Sequence, residues 1–294
     1  MQGLTVLEEH ACFGGVQGFY EHASETIGLP MRFGVYRPPG AGGADLPVLY
    51  YLAGLTCNEQ TFAIKAGAQR CAARHGLLLV TPDTSPRNTG IAEAEGDWEF
   101  GAGAGFYLDA SVEPYARHWR MESYLTEELP VVMARHFHAD AGAAGIFGHS
   151  MGGHGALTLA LRHPALYRSV SALAPICAPA EVPWGQKAFR GYLGGDTTRW
   201  AEHDATQLVS AGARAPEILV DQGLSDQFLA SQLRPERLEL ACRQAGQPLT
   251  LRRHPGYDHG YFFVASFMED HFAHHARMLP SPRAQVRTAG RGPD

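Results

Sequence analysis

The sequence predicts an α/β fold in which a mostly parallel sheet is covered by helices on both faces. Two apolar runs of strand length, LPVLYYLAG at 46–54 and GLLLVTPD at 76–83, are typical of strands buried on both sides. After the N-terminal strands, strand and helix patterns alternate, which indicates parallel strands joined by helical crossovers. No linker rich in Pro, Gly or Ser interrupts the alternation. We therefore expect a single domain over residues 1–280 and a flexible tail over 281–294.

The N-terminal region predicts strands of a different kind. Residues 5–37 contain three successive strand patterns, TVLEEHACF, VQGFYEHAS and MRFGVYRP, which we expect to be antiparallel. A helix is predicted over EQTFAIKAGAQRCAARH at 59–75, between the two buried strands. The next stretch, 84–120, is rich in Gly, Asp and aromatic residues, and an irregular segment of this length is usually functional or mobile.

The later elements continue the alternation. Residues 120–137 have helical periodicity, and Pro130 is expected to kink that helix rather than end it. Helices are also predicted from Met151 to near Pro164, over 235–246, and over 260–279 as one long closing helix. The remaining strands are predicted at 143–148, 167–175, 216–223 and 248–255.

Composition and charge exclude several classes of function. The chain has 294 residues, of which 45% are hydrophobic and 18% charged, and its net charge is −6. Without clustered Lys and Arg, nucleic acid is not an expected partner. No apolar run approaches the roughly 20 residues that cross a bilayer, and the first residues lack the pattern of a secretory signal. The five cysteines are scattered and form no disulfide or zinc pattern, which favours a reducing, cytoplasmic location.

The 15 histidines invite a search for a metal site. His271, His274 and His275 lie on the predicted closing helix, where a pair three residues apart could contact one ion. No H-E-x-x-H pattern or nearby carboxylate completes a ligand set. We expect these residues to form a polar helix face, and we expect no metal.

Ser150 lies in the pattern G-x-S-x-G, formed by Gly148, His149, Ser150, Met151 and Gly152. A strand is predicted directly before it and a helix directly after it, which is the context of the nucleophile elbow in the α/β-hydrolase fold. A serine that only caps the helix would explain the serine but not both glycines. The pattern therefore predicts a nucleophile.

The fold requires the chain order serine, acid, histidine. His259 follows the last predicted strand and precedes the closing helix, so it is the expected base, with His254 the weaker candidate. Asp226 lies in the loop after the preceding strand and is the expected acid. Asp221 still belongs to that strand, and Asp258 is adjacent to the histidine but wrongly located.

The oxyanion of the reaction needs two backbone N–H donors. In this fold one donor is the residue after the nucleophile, which is Met151 here, and the other comes from the loop after an early buried strand. That loop is LAGLTCN at 52–58, in which Leu55 is the predicted second donor.

Many short motifs of the sequence resemble those of the S-formylglutathione hydrolases, the esterase D family of serine hydrolases. They include CFGG, YLAGLTCNEQTF, TPDTSPR, WEFGAGAGFYLDA, RMESYLTEELP, FGHSMGGHGAL, PWGQKAF, DQGLSDQFL and GYDHGYFF, and they extend from about Cys12 to Leu279. The resemblance implies a cytoplasmic thioesterase that cleaves S-formylglutathione to glutathione and formate without a metal or cofactor. The sequence departs from the family at GDWEFG (96–101), at Gly260, where serine is common, and in its extra tail.

Carried over by motif, the resemblance makes Ser150 the nucleophile, Asp226 the acid and His259 the base. Leu55 and Met151 would be the oxyanion donors. The candidates for the substrate pocket are Cys57, His149, Trp184 and Lys187. Cys57 would make the activity sensitive to thiol reagents, and Lys187 or a nearby arginine could steer the glutathione carboxylates.

Two other functions remain open at this point. The same fold and triad serve broad carboxylesterases and acyltransferases, because a fold does not fix a substrate. A non-catalytic ligand-binding protein could retain the fold, although an intact set of three catalytic residues argues against it. A homodimer is compatible with the sequence, which does not determine the oligomeric state.

Overall fold

The computed structural model describes residues 3–40 and 45–279. The expected tail at 281–294 lies outside the described residues. Nine strands form one sheet in the order β1-β2-β3-β5-β4-β6-β7-β8-β9. The strands are β1 Thr5–Cys12, β2 Gly15–Ala23, β3 Pro30–Arg37, β4 Leu46–Leu52, β5 Leu78–Pro82, β6 Ala139–His149, β7 Ser169–Leu173, β8 Ile218–Gly223 and β9 Leu249–His254.

The sheet has an antiparallel part and a parallel part, as the sequence predicts. Strands β1, β2, β3 and β5 pair antiparallel in that order, and every later neighbour, beginning with β5 and β4, pairs parallel. All residues of β4 and β5 are buried, which confirms the prediction of strands covered on both faces. The edge strand β1 is largely exposed.

Eleven α-helical segments are present in the described residues. They are α1 Thr61–Lys65, α2 Ala68–His75, α3 Met121–Ser123, α4 Leu129–Phe137, α5 Met151–Arg162, α6 Pro183–Leu193, α7 Thr197–Trp200, α8 Ala205–Ser210, α9 Pro235–Ala245, α10 Tyr261–Ser266 and α11 Met268–Met278. Helix α11 packs against α2 and β7, whereas α5 packs against β4, β6, β7 and α8. The helices thus cover both faces of the sheet.

Three predicted helices have different boundaries in the structure. The helix predicted at 59–75 is divided into α1 and α2 because Gly67 has φ +64°, a left-handed conformation that ends the first helix. Residues 124–128 form a wider π-helical turn between α3 and α4, so Pro130 lies in the first turn of α4, where its missing N–H is tolerated. The closing helix is interrupted at Phe267, with φ −111° and ψ 8°.

The expectation that His271, His274 and His275 form a polar face is wrong. All three are buried, at 0–2% exposure. The Ser171 hydroxyl on β7 lies 2.7 Å from His271 Nδ1 and 2.9 Å from His275 Nε2, and His274 Nε2 lies 3.1 Å from the Val170 carbonyl oxygen. Polar partners on the sheet therefore allow these imidazoles to be buried under α11.

No helix of the described residues is long and apolar enough to span a membrane.

The sheet topology brings the predicted site residues to one edge of the sheet. Strands β4, β6, β8 and β9 belong to the parallel part of the sheet, so their carboxyl ends lie at the same edge. The segments that follow these strands contain every residue predicted for the catalytic triad and Leu55, and ligands of open α/β sheets bind at this edge.

Candidate active site

Ser150 lies in a sharp turn between β6 and α5. Its backbone has φ 59° and ψ −120°, outside the regions that non-glycine residues favour, and its side chain makes no helix-capping hydrogen bond. A side chain at Gly148 would overlap the Gly152 carbonyl, and one at Gly152 would overlap the Leu52 carbonyl. Both glycines are therefore required by close backbone approach, and the helix cap does not account for the serine.

Three side chains form a continuous hydrogen-bonded chain. His259 Nε2 lies 2.9 Å from Ser150 Oγ, and His259 Nδ1 lies 2.6 Å from Asp226 Oδ2. Because an ionised carboxylate only accepts hydrogen bonds, Nδ1 donates to Asp226 and Nε2 is free to accept the serine proton. The arrangement can deprotonate Ser150 as it attacks a carbonyl carbon.

Asp226 is held from several directions. It follows β8, its side chain is fully buried, and its Oδ1 accepts a hydrogen bond of 2.8 Å from the Phe228 backbone N–H. Gln222 Nε2 donates to Oδ2 at 3.3 Å. The carboxylate therefore has little freedom to leave His259.

Asp221 and His254, the alternative candidates for the acid and the base, belong to a separate cluster of side chains. Asp221 accepts from Arg252 Nε at 2.7 Å, and its oxygens lie 2.9 Å from His254 Nε2 and 3.1 Å from His271 Nε2. The register of β8 and β9 explains this, since Asp221 is directly paired with Arg252. These partners lower the pKa of Asp221 despite its burial. The Asp258 carboxylate accepts a hydrogen bond of 2.8 Å from the nearby Gly260 N–H.

A cavity of about 180 Å³ opens beside Ser150. The predicted oxyanion donor Leu55 lines it, and Met151 is the first residue of α5, where backbone N–H groups have no partner within the helix. The complete lining is Gly54, Leu55, Thr56, Cys57, Trp98, His149, Ser150, Trp184, Phe228, His259 and Tyr261.

Cys57 and His149, two of the candidates for the substrate pocket, line this cavity. Burial raises the pKa of the Cys57 thiol. The pKa of His149 is well below its ordinary value because the ring is buried and lies close to His259, with ring centroids 4.5 Å apart. His149 is therefore a neutral wall of the cavity near neutral pH.

Trp184 and Lys187 lie on α6, and the structure separates them. Trp184 lines the cavity and donates from Nε1 to Glu99 Oε1 at 2.9 Å. Lys187 is not among the lining residues, because its Nζ is bound to Asp97 at 2.7 Å and to Glu99 at 2.9 Å. The prediction that Lys187 belongs to the substrate pocket is wrong, because Lys187 is paired with these two carboxylates and does not line the cavity.

Three aromatic residues of the cavity were not predicted from the sequence. Phe228 lies two residues after Asp226 and Tyr261 two residues after His259, so their proximity to the triad is a signal that could have found them. Trp98, which packs edge-on against Trp184 with centroids 5.7 Å apart, comes from the long irregular segment, whose path has no sequence signature.

The histidines supply no metal centre in the described ranges 3–40 and 45–279, where no three His, Cys, Asp or Glu side chains are grouped to hold an ion.

Comparison with known proteins agrees with this geometry. The family model for putative esterases matches residues 24–274. S-formylglutathione hydrolase from Rattus norvegicus is 48% identical over 278 residues, which are 94% of this chain and 99% of the rat protein. The mouse protein of the same name, from Mus musculus, is 49% identical over 278 residues, with the same coverage.

A solved structure gives the same result. An S-formylglutathione hydrolase from Agrobacterium tumefaciens superposes with a TM-score of 0.92 at 47% sequence identity, covering 94% of this chain and 99% of that chain. The chain therefore has the α/β-hydrolase fold and belongs to the S-formylglutathione hydrolase family of esterases.

Proposed function

We propose that this chain hydrolyses the thioester S-formylglutathione to glutathione and formate through a formyl-enzyme on Ser150. The observation that carries the proposal is the hydrogen-bonded chain from Ser150 through His259 to Asp226, open to a small cavity. The relatives named S-formylglutathione hydrolase support the choice of substrate.

In the first half of the reaction, Ser150 Oγ attacks the formyl carbon while His259 Nε2 takes the hydroxyl proton. The Asp226 carboxylate keeps the imidazole in the tautomer that can accept this proton and stabilises the imidazolium that forms. When the C–S bond breaks, the glutathione sulfur leaves, and His259 supplies the proton that it needs.

The tetrahedral intermediate carries negative charge on the former carbonyl oxygen. The N–H groups of Leu55 and Met151 are the donors that we assign to this oxyanion, and the N-terminus of α5 adds favourable partial charge. Loss of a single donor of this kind costs about 10²- to 10³-fold in kcat in serine hydrolases.

In the second half, a water molecule takes the place of the departed thiol. His259 removes its proton as the oxygen attacks the formyl ester of Ser150, and the same proton returns to Ser150 Oγ when formate leaves. The cycle consumes one water and needs no other reactant, so we propose no metal or cofactor.

The aromatic residues that line the cavity favour a substrate with a small acyl group. Trp98, Trp184 and Phe228 surround the cavity, whose volume of about 180 Å³ must also admit the sulfur of the leaving group. Trp184 is fixed by its hydrogen bond to Glu99 and by contact with Phe228, with ring centroids 4.7 Å apart. A formyl group fits such walls with less displacement than a longer acyl chain.

A cation packs against Tyr261, one of the aromatic residues that line the cavity. Lys65 Nζ is 5.6 Å from the ring centroid of Tyr261, which lines the cavity. We assign Lys65, rather than Lys187, to a glutathione carboxylate, because the Lys187 ammonium group is already bound to two acids.

Three wider expectations belong to the same proposal. All five cysteines are free thiols, which supports a reducing compartment such as the cytoplasm. One sheet joins the described elements from β1 to β9, which supports a single domain over residues 1–280. A homodimer stays a prediction.

A substrate series tests the proposal. We expect kcat/KM to be highest for S-formylglutathione and to fall by about 10- to 100-fold for S-acetylglutathione, because one added carbon must displace a fixed aromatic wall. p-Nitrophenyl acetate serves as the ester control. Equal or higher kcat/KM for the ester or for longer acyl thioesters would instead make the protein a broad carboxylesterase.

A further inference from the structure

The backbone carbonyl of Cys57 is held by two side chains from one short segment. Thr84 Oγ1 donates to this oxygen at 2.7 Å, and Arg87 Nη2 donates to it at 2.8 Å. Both donors come from the loop after β5, in the sequence DTSPR at 83–87. The Cys57 N–H donates to the Gly54 carbonyl at 3.3 Å and so closes the turn that contains Leu55, the residue assigned to the oxyanion.

This turn is strained and lies against the nucleophile. Thr56 has φ +68°, a conformation that is costly for a β-branched residue and persists only when its surroundings enforce it. A Cβ at Gly54 would lie 3.2 Å from Ser150 Cβ, so the turn is in close contact with the catalytic serine. A small rotation of the Gly54–Leu55 peptide would therefore change the direction of the Leu55 N–H relative to the reacting carbonyl.

Residues 84–87 also restrain Thr56, the residue of the turn that precedes Cys57. The Thr56 N–H donates to the Gly103 carbonyl at 2.9 Å, and the Gly103 N–H donates to Ser85 Oγ at 2.8 Å. Thr56 and Cys57 are thus both tied, directly or through Gly103, to residues 84–87. The Leu55 N–H belongs to the Gly54–Leu55 peptide, whose carbonyl accepts a hydrogen bond of 3.3 Å from the Cys57 N–H. The anchors on Thr56 and Cys57 therefore restrain the rotation of that peptide as well.

Arg87 is itself fixed by a carboxylate. Its Nε lies 3.0 Å from Asp83 Oδ2 and its Nη2 lies 2.6 Å from Asp83 Oδ1, while the Asp83 side chain is only 5% exposed. A two-point contact of this kind sets the orientation of the guanidinium plane as well as its position. The direction of the bond from Nη2 to the Cys57 carbonyl is therefore determined by Asp83.

A second cavity of about 380 Å³ borders this arrangement, and Ser150 is not among its lining residues. Asp83, Ser85 and Arg87 line it together with Arg32, whose Nε pairs with Glu21 at 2.9 Å. Arg87 lines this cavity and not the one beside Ser150. We therefore assign its effect on the reaction to its hydrogen bond with the Cys57 carbonyl.

We propose that Arg87, oriented by Asp83, is a positioning residue that fixes the Gly54–Cys57 turn so that the Leu55 N–H is directed at the oxyanion. The proposal rests on the role proposed above for Leu55. It predicts a loss that is specific to the tetrahedral state, because a misdirected donor weakens binding of the oxyanion and not of the ground-state ester or thioester.

The test compares Arg87→Gln with Arg32→Gln, which removes a guanidinium from the same cavity without touching the turn. With p-nitrophenyl acetate as substrate and active sites counted with a fluorophosphonate, we expect Arg87→Gln to lower kcat by about 10- to 100-fold with KM within threefold of wild type. Arg32→Gln should stay within twofold. The inhibition constant of a boronic acid, whose adduct with Ser150 mimics the tetrahedral state, should rise in proportion to the loss of kcat/KM.

Thr84→Val supplies a second variant, because loss of Arg87 removes the ion-pair partner of the buried Asp83 and so can destabilise the fold. This change keeps the ion pair and removes the hydroxyl that donates to the Cys57 carbonyl and accepts from Arg87 Nη2 at 3.3 Å. We expect a several-fold fall in kcat with an increase in the boronate inhibition constant. Arg87→Gln or Thr84→Val with unchanged kcat and boronate affinity overturns the inference, as does a fall in kcat with unchanged boronate affinity.

Because p-nitrophenyl acetate is the substrate in this test, a failure of the inference about Arg87 can be distinguished from a failure of the proposed function. If wild-type protein hydrolysed p-nitrophenyl acetate but not S-formylglutathione, the proposed function would fail while the arginine test kept its meaning. If S-formylglutathione were the preferred substrate and Arg87→Gln behaved as Arg32→Gln does, only the inference about Arg87 would fail.

Discussion

Asp226 and His259 are joined by a distance of 2.6 Å between Oδ2 and Nδ1, although they come from loops that follow different strands. The pairing directs the other imidazole nitrogen at Ser150, 2.9 Å away. Asp221, only five residues earlier, contacts His254, His271 and Arg252 instead. We therefore expect the two aspartates to have separable effects, that of Asp226 on catalysis and that of Asp221 on stability.

Asp226→Asn should lower kcat by about 10³- to 10⁴-fold in a folded protein, because an amide no longer holds His259 in the tautomer that accepts the serine proton. Asp221→Asn should instead lower the free energy of unfolding by about 3–5 kcal/mol, since a buried ion pair loses one partner. Steady-state kinetics and urea unfolding of both variants distinguish these effects. A folded but inactive Asp221→Asn protein would reverse the assignment.

Lys65→Gln should raise KM for S-formylglutathione by about 3- to 10-fold and leave KM for p-nitrophenyl acetate unchanged, because an exposed ion pair contributes only about 1 kcal/mol. Lys187→Gln is the matched control, and it should have no selective effect on the glutathione substrate. If Lys187→Gln gave the selective rise in KM and Lys65→Gln did not, the location assigned to the glutathione carboxylate would be wrong.

Cys57→Ala should remain active and resist inactivation by N-ethylmaleimide, because alkylation of Cys57 would fill the cavity beside Ser150. Burial raises the pKa of this thiol, so the reactive thiolate is scarce at neutral pH and inactivation of wild type should accelerate with each unit of rising pH. Cys12→Ala, which alters a partly exposed thiol in β1, serves as the control. Equal inactivation of wild type and Cys57→Ala would assign the sensitivity to another cysteine.

His154 makes stability depend on pH. Burial lowers its pKa to about 3, whereas the unfolded chain has a value near 6.5, so the folded state binds fewer protons between these values. The stability that neutral His154 allows is therefore complete above pH 6.5 and decreases as pH falls. From pH 6.5 to pH 5 the loss should be about 2 kcal/mol in the free energy of unfolding.

His154→Leu should remove that part of the acid sensitivity, and urea unfolding at several pH values measures it. His10→Gln, which changes a histidine on the exposed strand β1, is the control and should keep the wild-type slope. A slope in His154→Leu as steep as that of wild type would show that His154 does not titrate with folding.

Chain order explains why the sequence could predict that Ser150, Asp226 and His259 lie together. Each residue lies in the segment that follows a strand of the parallel region, and parallel strands bring their carboxyl ends to one edge. The glycines around Ser150 also have a local cause, since backbone from Leu52 approaches them closely.

The predictions for Lys187 and His271 are wrong because they depend on partners that are distant along the chain. Lys187 was expected near the substrate, but Asp97 and Glu99, which neutralise it, lie in an irregular segment whose path no periodicity predicts. His271 has a polar sequence signature, yet Ser171 and Asp221 accommodate it in the interior. Burial of a polar residue depends on such partners, which sequence spacing does not reveal.

The most direct measurement is the release of glutathione and formate from S-formylglutathione by wild type and by Ser150→Ala. Wild type should turn over this thioester in preference to S-acetylglutathione, and Ser150→Ala should lose at least about 10⁴-fold in kcat while it remains folded. A Ser150→Ala protein that retained a tenth of wild-type activity, or a wild type without activity on S-formylglutathione, would contradict the proposed function.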